Sequence, residues 1–213
     1  IKWSSENKKI ATVNKNGKVT GKKGGTTKII ATAKDGTKAT CKVTVATVKL
    51  NASSMPLQVG TSTKALKVAS KTVKKDKVKA WKSSDSSIAS VSKSGKVTAK
   101  KTGKATLTVT MKSGAKATCK VTVQNEKVTT KKLTLSKKKA TLTVKQSVKL
   151  GVKRNPISAK EKITWSSSNT KVATVSKSGK VTAKKAGKAT ITAKTSNGKK
   201  ATCKITVKKA TKK

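Results

Sequence analysis

The 213-residue chain has no histidine, no phenylalanine and no tyrosine, and its only acidic residues are Glu6, Asp35, Asp76, Asp85, Glu126 and Glu161. Without an imidazole, the commonest general base and metal ligand is missing. The six carboxylates are scattered along the chain, and none recurs at an equivalent core position. Paired-carboxylate catalysis and calcium cages both need acids that converge on one point, so neither is expected. No apolar run approaches the ~20 residues that a spanning helix requires, which argues against membrane insertion of this segment. A single arginine, Arg154, and three tryptophans give no basis for bidentate base readout or for a row of stacking aromatics. Nucleic acid is therefore expected to bind only non-specifically.

What is abundant is lysine. Lys and Arg together number 54, for a formal net charge of +48. Lysines at outward strand positions keep sheets soluble and block edge-to-edge pairing, but a merely solubilising surface mixes both signs. The shortage of acids points further, to attraction of polyanions such as anionic cell-surface polymers or glycans.

The second abundance is repetition. ATCKVTV stands at 39–45 and again at 117–123, and ATCKITV stands at 201–207, so each of the three cysteines lies in one copy of a phrase. Counting back 38 residues from Cys41, Cys119 and Cys203 gives Trp3, Trp81 and Trp165, the only tryptophans. Gly17, Gly95 and Gly179 share one offset between these markers, and Gly36, Gly114 and Gly198 share another. The full period is longer, because Trp81 follows Trp3 by 78 residues and Trp165 follows Trp81 by 84. The extra length lies upstream of each Trp, where Leu57 matches Leu142 and Val59 matches Val144. The first copy has no such stretch, and Ile1 aligns with Ile163, so the chain is expected to be a segment of something longer.

Within each copy the polarity alternates with a period of two. Ala117, Cys119, Val121 and Val123 face one way while Thr118, Lys120 and Thr122 face the other, as in a half-buried strand. Turn dipeptides such as Asn16-Gly17, Ser94-Gly95 and Ser178-Gly179 separate these runs, and no run has helical spacing. About seven short strands in roughly 80 residues is the size of a small two-sheet sandwich. The predicted fold class is all-β: tandem Ig-like β-sandwich domains, the first truncated at its N-terminal side. The expected boundaries are 1–45 for a partial domain, 46–123 for a second, and 124–213 for a third with a basic C-terminal tail. With 33% hydrophobic residues and no Phe or Tyr, each core must be lean.

The phrases WSSSNTKVATV, SGKVTAKKAGKATITA and ATCKITV resemble the bacterial immunoglobulin-like domain of group 2, also met as the invasin and intimin type. The resemblance covers two whole copies and the second half of another. It implies an extracellular β-sandwich used in tandem on bacterial surface proteins, adhesins, secreted enzymes and phage structural proteins, and it names no reaction. This chain departs from the family in carrying cysteine where a small aliphatic residue is usual.

One cysteine per copy cannot close a disulfide within a domain, and antibody domains need a second cysteine upstream of the Trp. Inward parity makes Cys41, Cys119 and Cys203 core filler, with an intermolecular cross-link or reactive thiol as the alternative. Trp3, Trp81 and Trp165 are expected to complete the structural core. No residue is assigned to catalysis, to a cofactor or to a metal. An internal Lys–Asn isopeptide bond needs a buried acid beside it, and none of the six qualifies on sequence.

These readings converge on a non-enzymatic extracellular stalk that presents other domains and clings to anionic polymers through its lysines. The alternatives are a phage tail or capsid decoration, which would place it on a virion, and the accessory region of a secreted hydrolase. The two-residue joint Ala46-Thr47 is expected to be stiff and the longer joint 124–132 looser. The open edge of residues 1–45 is covered either by upstream strands or by assembly with a neighbouring chain, for instance through the 208–213 tail.

Overall fold

A computed structural model describes residues 1–209, so the end of the basic tail, the alternative source of a strand for the open edge, lies outside the described residues. Among those residues every regular element is a β-strand. Two compact units form by contact: Ile1–Ser54 with Val59–Val123, and Met55–Gln58 with the chain from Gln124 onward.

The second unit holds the most complete repeat. Its four-stranded sheet runs in the order Lys139–Thr143, Lys200–Lys208, Gly187–Thr195, Ile163–Ser167. The first pair is parallel and the other two are antiparallel. A three-stranded sheet of Ser147–Lys149, Lys180–Ala183 and Ala173–Val175 and a ribbon of Lys132–Leu135 with Val152–Asn155 complete it. This repeat has nine strands instead of the expected seven, because the segment upstream of Trp165 breaks into short pieces. The inward letters of the alternation form one cluster: Leu142, Leu150, Val172, Val181, Ile191, Cys203, Ile205 and Val207 with Ala173, Ala183 and Ala189 beside them. Each apolar side chain removed from water contributes roughly 1.5–3 kcal/mol, so a core this small leaves little reserve.

The first unit holds the first repeat and the second apart from Met55–Gln58. Gly25–Thr32 and Lys38–Val45 pair antiparallel with Ile29 opposite Cys41, as Gly103–Met111 and Lys116–Gln124 pair with Leu107 opposite Cys119. Across the joint, the Thr72 amide donates to the Thr47 carbonyl at 3.0 Å, and the hydroxyls of Thr47 and Thr72 are bonded to each other. A Cβ at Gly24 would stand 2.6 Å from Thr47 Oγ1 and 2.7 Å from Thr72 Oγ1, so only glycine lets the two repeats approach here.

The Trp and Gly markers of the repeat turn out to be one contact. Gly17, Gly95 and Gly179 all have positive φ, at 77°, 78° and 80°. A Cβ there would meet the indole of Trp3, Trp81 or Trp165. Each tryptophan is half-buried. Trp165 lies on the edge strand of its sheet, packs on the core with one face, and rests on Gly179. Gly179→Ala combines the unfavourable φ with a 2.6 Å approach to the Trp165 ring and a 2.9 Å approach to the Leu150 carbonyl. It is expected to destabilise the third repeat by about 2 kcal/mol, read as a lower urea midpoint at unchanged slope.

The three cysteines do not share one environment. Cys119 and Cys203 are fully buried, but Cys41 is exposed. The expectation that all three fill cores is corrected for Cys41. Cys203 lies on a strand flanked on both sides, by Gly187–Thr195 and by the parallel strand Lys139–Thr143, whereas Lys38–Val45 pairs only with Gly25–Thr32. Residues 1–45 contain no counterpart of Lys139–Thr143 or of its sequence equivalent around Leu57. Inward parity therefore leads Cys41 to an uncovered face.

Burial pushes the Cys119 thiol up to about 11 and also raises that of Cys203, where Lys137 acts weakly in the opposite sense. One thiol per native chain, Cys41, is expected to react with a small maleimide at pH 7, and three in denaturant. Modification of Cys119 or Cys203 in the native protein, located by peptide mapping, would contradict this.

Candidate functional site

Two of the chain's few acids cap its own turns. Asp85 Oδ1 accepts from the Ser87 amide at 2.8 Å and its hydroxyl at 2.6 Å. Asn7 and Asn169, at the same place in the other repeats, accept from Lys9 and Lys171 amides. Asp35 Oδ1 accepts from the Thr37 amide at 3.0 Å across the Asp35-Gly36 turn. These are the short-range caps that Asp and Asn favour in turns. The Ser87 hydroxyl and amide hold Asp85 below the usual carboxylate range, and the Thr37 amide does so for Asp35.

Two acids are buried, which the sequence did not disclose. Asp76 is 8% exposed and accepts from the Ser113 hydroxyl at 2.6 Å and amide at 3.2 Å. Glu161 is 9% exposed and accepts from the Thr130 hydroxyl at 2.5 Å and amide at 2.6 Å. The Thr130 carbonyl in turn accepts from Asn197 Nδ2 at 2.9 Å. Both carboxylates tie down the approach to a tryptophan strand, five residues before Trp81 and four before Trp165. The near-matching offset is a signal, but the residues differ and the upstream segments differ in length. Sequence reading that found no buried acid is corrected here. The partners are hydroxyls and amides, so these carboxylates organise loops.

Arg154, the sole arginine, donates from Nη2 to the Glu161 carbonyl at 2.9 Å. It is committed to the same loop. Among the described residues no three His, Cys, Asp or Glu side chains come close enough to hold a metal ion. No helix among them is long and apolar enough to cross a membrane.

With the acids so engaged, lysine far outnumbers any anionic partner on the surface. The one ion pair among the described residues joins Lys28 Nζ to Glu6 at 3.5 Å, with both side chains about half exposed. Lysines recur at equivalent outward places, Lys42, Lys120 and Lys204 on one strand and Lys18, Lys96 and Lys180 beside the turn glycines. Threonines alternate with them: Lys188 lies opposite Thr206, and Thr190 opposite Lys204. The outer face of the third repeat's four-stranded sheet is thus a lattice of ammonium and hydroxyl groups, and it carries a shallow cleft of about 450 Å³. A second cleft, of about 540 Å³ beside the Ala46-Thr47 joint, is lined by Lys23, Lys49 and Lys116.

All-β sandwiches repeated along one chain, with a Trp–Gly contact in each copy and no converging acids, define a tandem array of Ig-like domains. The sequence model of the bacterial Ig-like domain (group 2) matches residues 1–43, 44–121 and 128–205, and the chain belongs to that family. It is 48% identical over 61 residues to lacto-N-biosidase of Bifidobacterium bifidum, a match covering 29% of this chain and 6% of that enzyme. Among solved structures, Drosophila N-cadherin EC1-3 aligns over 98% of this chain and 89% of its own, with 12% identity and a TM-score of 0.42. Domains 4-9 of the surface layer protein SbsC align over 98% and 39%, with 19% identity and a TM-score of 0.43.

Proposed function

We propose that the chain is a non-enzymatic, extracellular structural and adhesive region of a bacterial surface or secreted protein, and that it holds to anionic polymers through many interchangeable lysine contacts. The observation that carries the reading is the fate of the acids. Five of the six have their carboxylates engaged in turns, buried loops or the Glu6–Lys28 pair, and six acids against 54 cationic residues leave a net charge of +48. Lysine ammonium groups act as point charges, which suits attraction to repeated phosphate, sulfate or carboxylate groups and confers little sequence or shape selection. Nucleic acid falls under the same attraction without a specific site.

The accessory region of a secreted hydrolase is the second reading. It is favoured by the similarity to a small part of lacto-N-biosidase, since an accessory segment is expected to match such an enzyme over a small share of its length.

The test is binding of the intact chain to immobilised teichoic acid and heparin while salt is raised. Exposed charge contacts are worth about 0–1 kcal/mol each and are screened beyond ~8 Å at physiological ionic strength, so binding is expected to fall steeply between 50 and 500 mM salt. Binding that persists at high salt would contradict the reading.

A further inference from the structure

Resting on that reading, we infer that the three repeats are not equivalent: the outer cleft of the third repeat is a preferred site for an oxyanion carried on a polyol or saccharide chain, whereas at the matching place of the first repeat Glu6 already pairs with Lys28. The three places are matched by one main-chain bond. The amides of Glu6, Ser84 and Ser168 donate to the carbonyls of Lys28, Thr106 and Thr190 at 3.0, 2.9 and 3.0 Å. That main-chain bond is therefore the same, while the side chains around it differ: Glu6 beside Lys28 in the first repeat, Ser84 beside Thr106 in the second and Ser168 beside Thr190 in the third.

In the first repeat Lys28 stands directly opposite Lys42, and Glu6 reaches Lys28 Nζ at 3.5 Å. The repulsion between adjacent cations is relieved from within. In the third repeat the position holds Ser168, whose Oγ accepts from the Thr190 amide at 2.8 Å and brings no charge. Lys204 lies opposite Thr190 on one side and opposite Lys139 on the other, with Lys188 one strand away facing Thr206. Lys139, Lys188 and Lys204 line one cleft with the hydroxyl-bearing Ser168, Thr190 and Thr206, and no acid lines it. Three like charges on neighbouring strands need a counter-ion, and the sheet does not supply one. An oxyanion supplies it, and the flanking hydroxyls can exchange hydrogen bonds with the hydroxyls of the polymer that bears the anion. The second repeat is intermediate: Lys104 and Lys120 are kept, Ser84 replaces the acid, and Ser54 stands at the sequence position of Lys139. The cleft has no aromatic wall on which a base could stack, which favours a polyol or saccharide over nucleic acid.

The test is amide chemical-shift mapping of the intact chain with three probes of similar charge: a sulfated heparin tetrasaccharide, a short glycerol-phosphate oligomer and a DNA oligonucleotide. The largest shifts are expected at Lys139, Lys188–Thr190 and Lys204–Thr206, with either of the first two probes. A response to both marks the oxyanion on a hydroxylated chain as the common feature, and a response to one assigns the source. Ser168→Glu brings a carboxylate to the lining shared with Lys139, Lys188 and Lys204, at a place where the first repeat's backbone already accepts a glutamate, and is expected to weaken binding at that cleft about fivefold. Glu6→Ser is expected to bring new shifts to residues 26–28 and 42–44. Even shifts over all repeats, no response to either substitution, or a DNA response as strong and as localised as the others would overturn the inference while distributed binding stands. No salt-sensitive binding of any probe would overturn both.

Discussion

Ile191→Ala is expected to lower the melting temperature of the third repeat by about 10–20 °C, the largest effect of any single substitution here. Ile191 is fully buried, lies opposite Cys203 on the neighbouring strand, and belongs to a cluster that lacks any phenylalanine or tyrosine to close around a cavity. Truncating a buried isoleucine typically costs about 2–5 kcal/mol, a large share of the ~5–15 kcal/mol that holds a domain together. Cys203 gives a local readout, because opening of this core exposes its thiol. Labelling of Cys203 should accelerate in the variant at temperatures where Cys119 stays protected. A melting temperature within ~3 °C of the parent would show that the core is plastic enough to refill the space.

Glu161→Gln should come next, costing about 2–3 kcal/mol at pH 7. The carboxylate accepts from two donors of Thr130, itself 1% exposed, and an amide can present an oxygen to only one of them while turning its NH₂ on the other. Burial by itself would raise the Glu161 pKa, but the Thr130 hydroxyl and amide and the nearby Arg154 outweigh it and hold the group below the ordinary 4.5. A carboxyl depressed by folding adds stability that is fully present above the unfolded value and is lost as the pH falls through the folded one. The parent and the variant should therefore differ most near neutrality and converge toward pH 3. Urea midpoints at pH 7 and pH 3 check this, and a gap that stays constant with pH would contradict it.

How much of this was legible beforehand depends on what the repeats share. Trp81, Gly95 and Cys119 stood out because they return at fixed offsets: indole and positive-φ glycine meet in each copy, and the thiol holds an inward strand position. The two-residue alternation was enough to place Cys119, Val121 and Val123 inside. It failed for Cys41 because parity says which way a side chain points, and not whether another strand lies above it. The roles of Asp76 and Glu161 were hidden for a different reason. Each is a single-copy solution to a loop of its own length, bonded to Ser113 or to Thr130 some 31 to 37 residues away, and periodicity carries no information about such a pair. The cleft around Ser168 was also missed. Its distinguishing feature is the absence of the carboxylate that Glu6 supplies in the first repeat, and that comparison has meaning only once the shared Glu6–Lys28 and Ser168–Thr190 main-chain bonds align the two positions.

In the proposed binding charge acts through number, and the dependence of affinity on polymer length tests this most directly. Heparin or glycerol-phosphate chains of increasing length should bind the intact protein with affinity that keeps rising as more lysines are engaged, and the slope of log affinity against log salt should steepen in step. The cleft of the third repeat should set where the shortest chains settle. Affinity that levels off at a tetramer, with a salt slope that no longer changes, would mean that one pocket does the binding and that the lysine lattice does not.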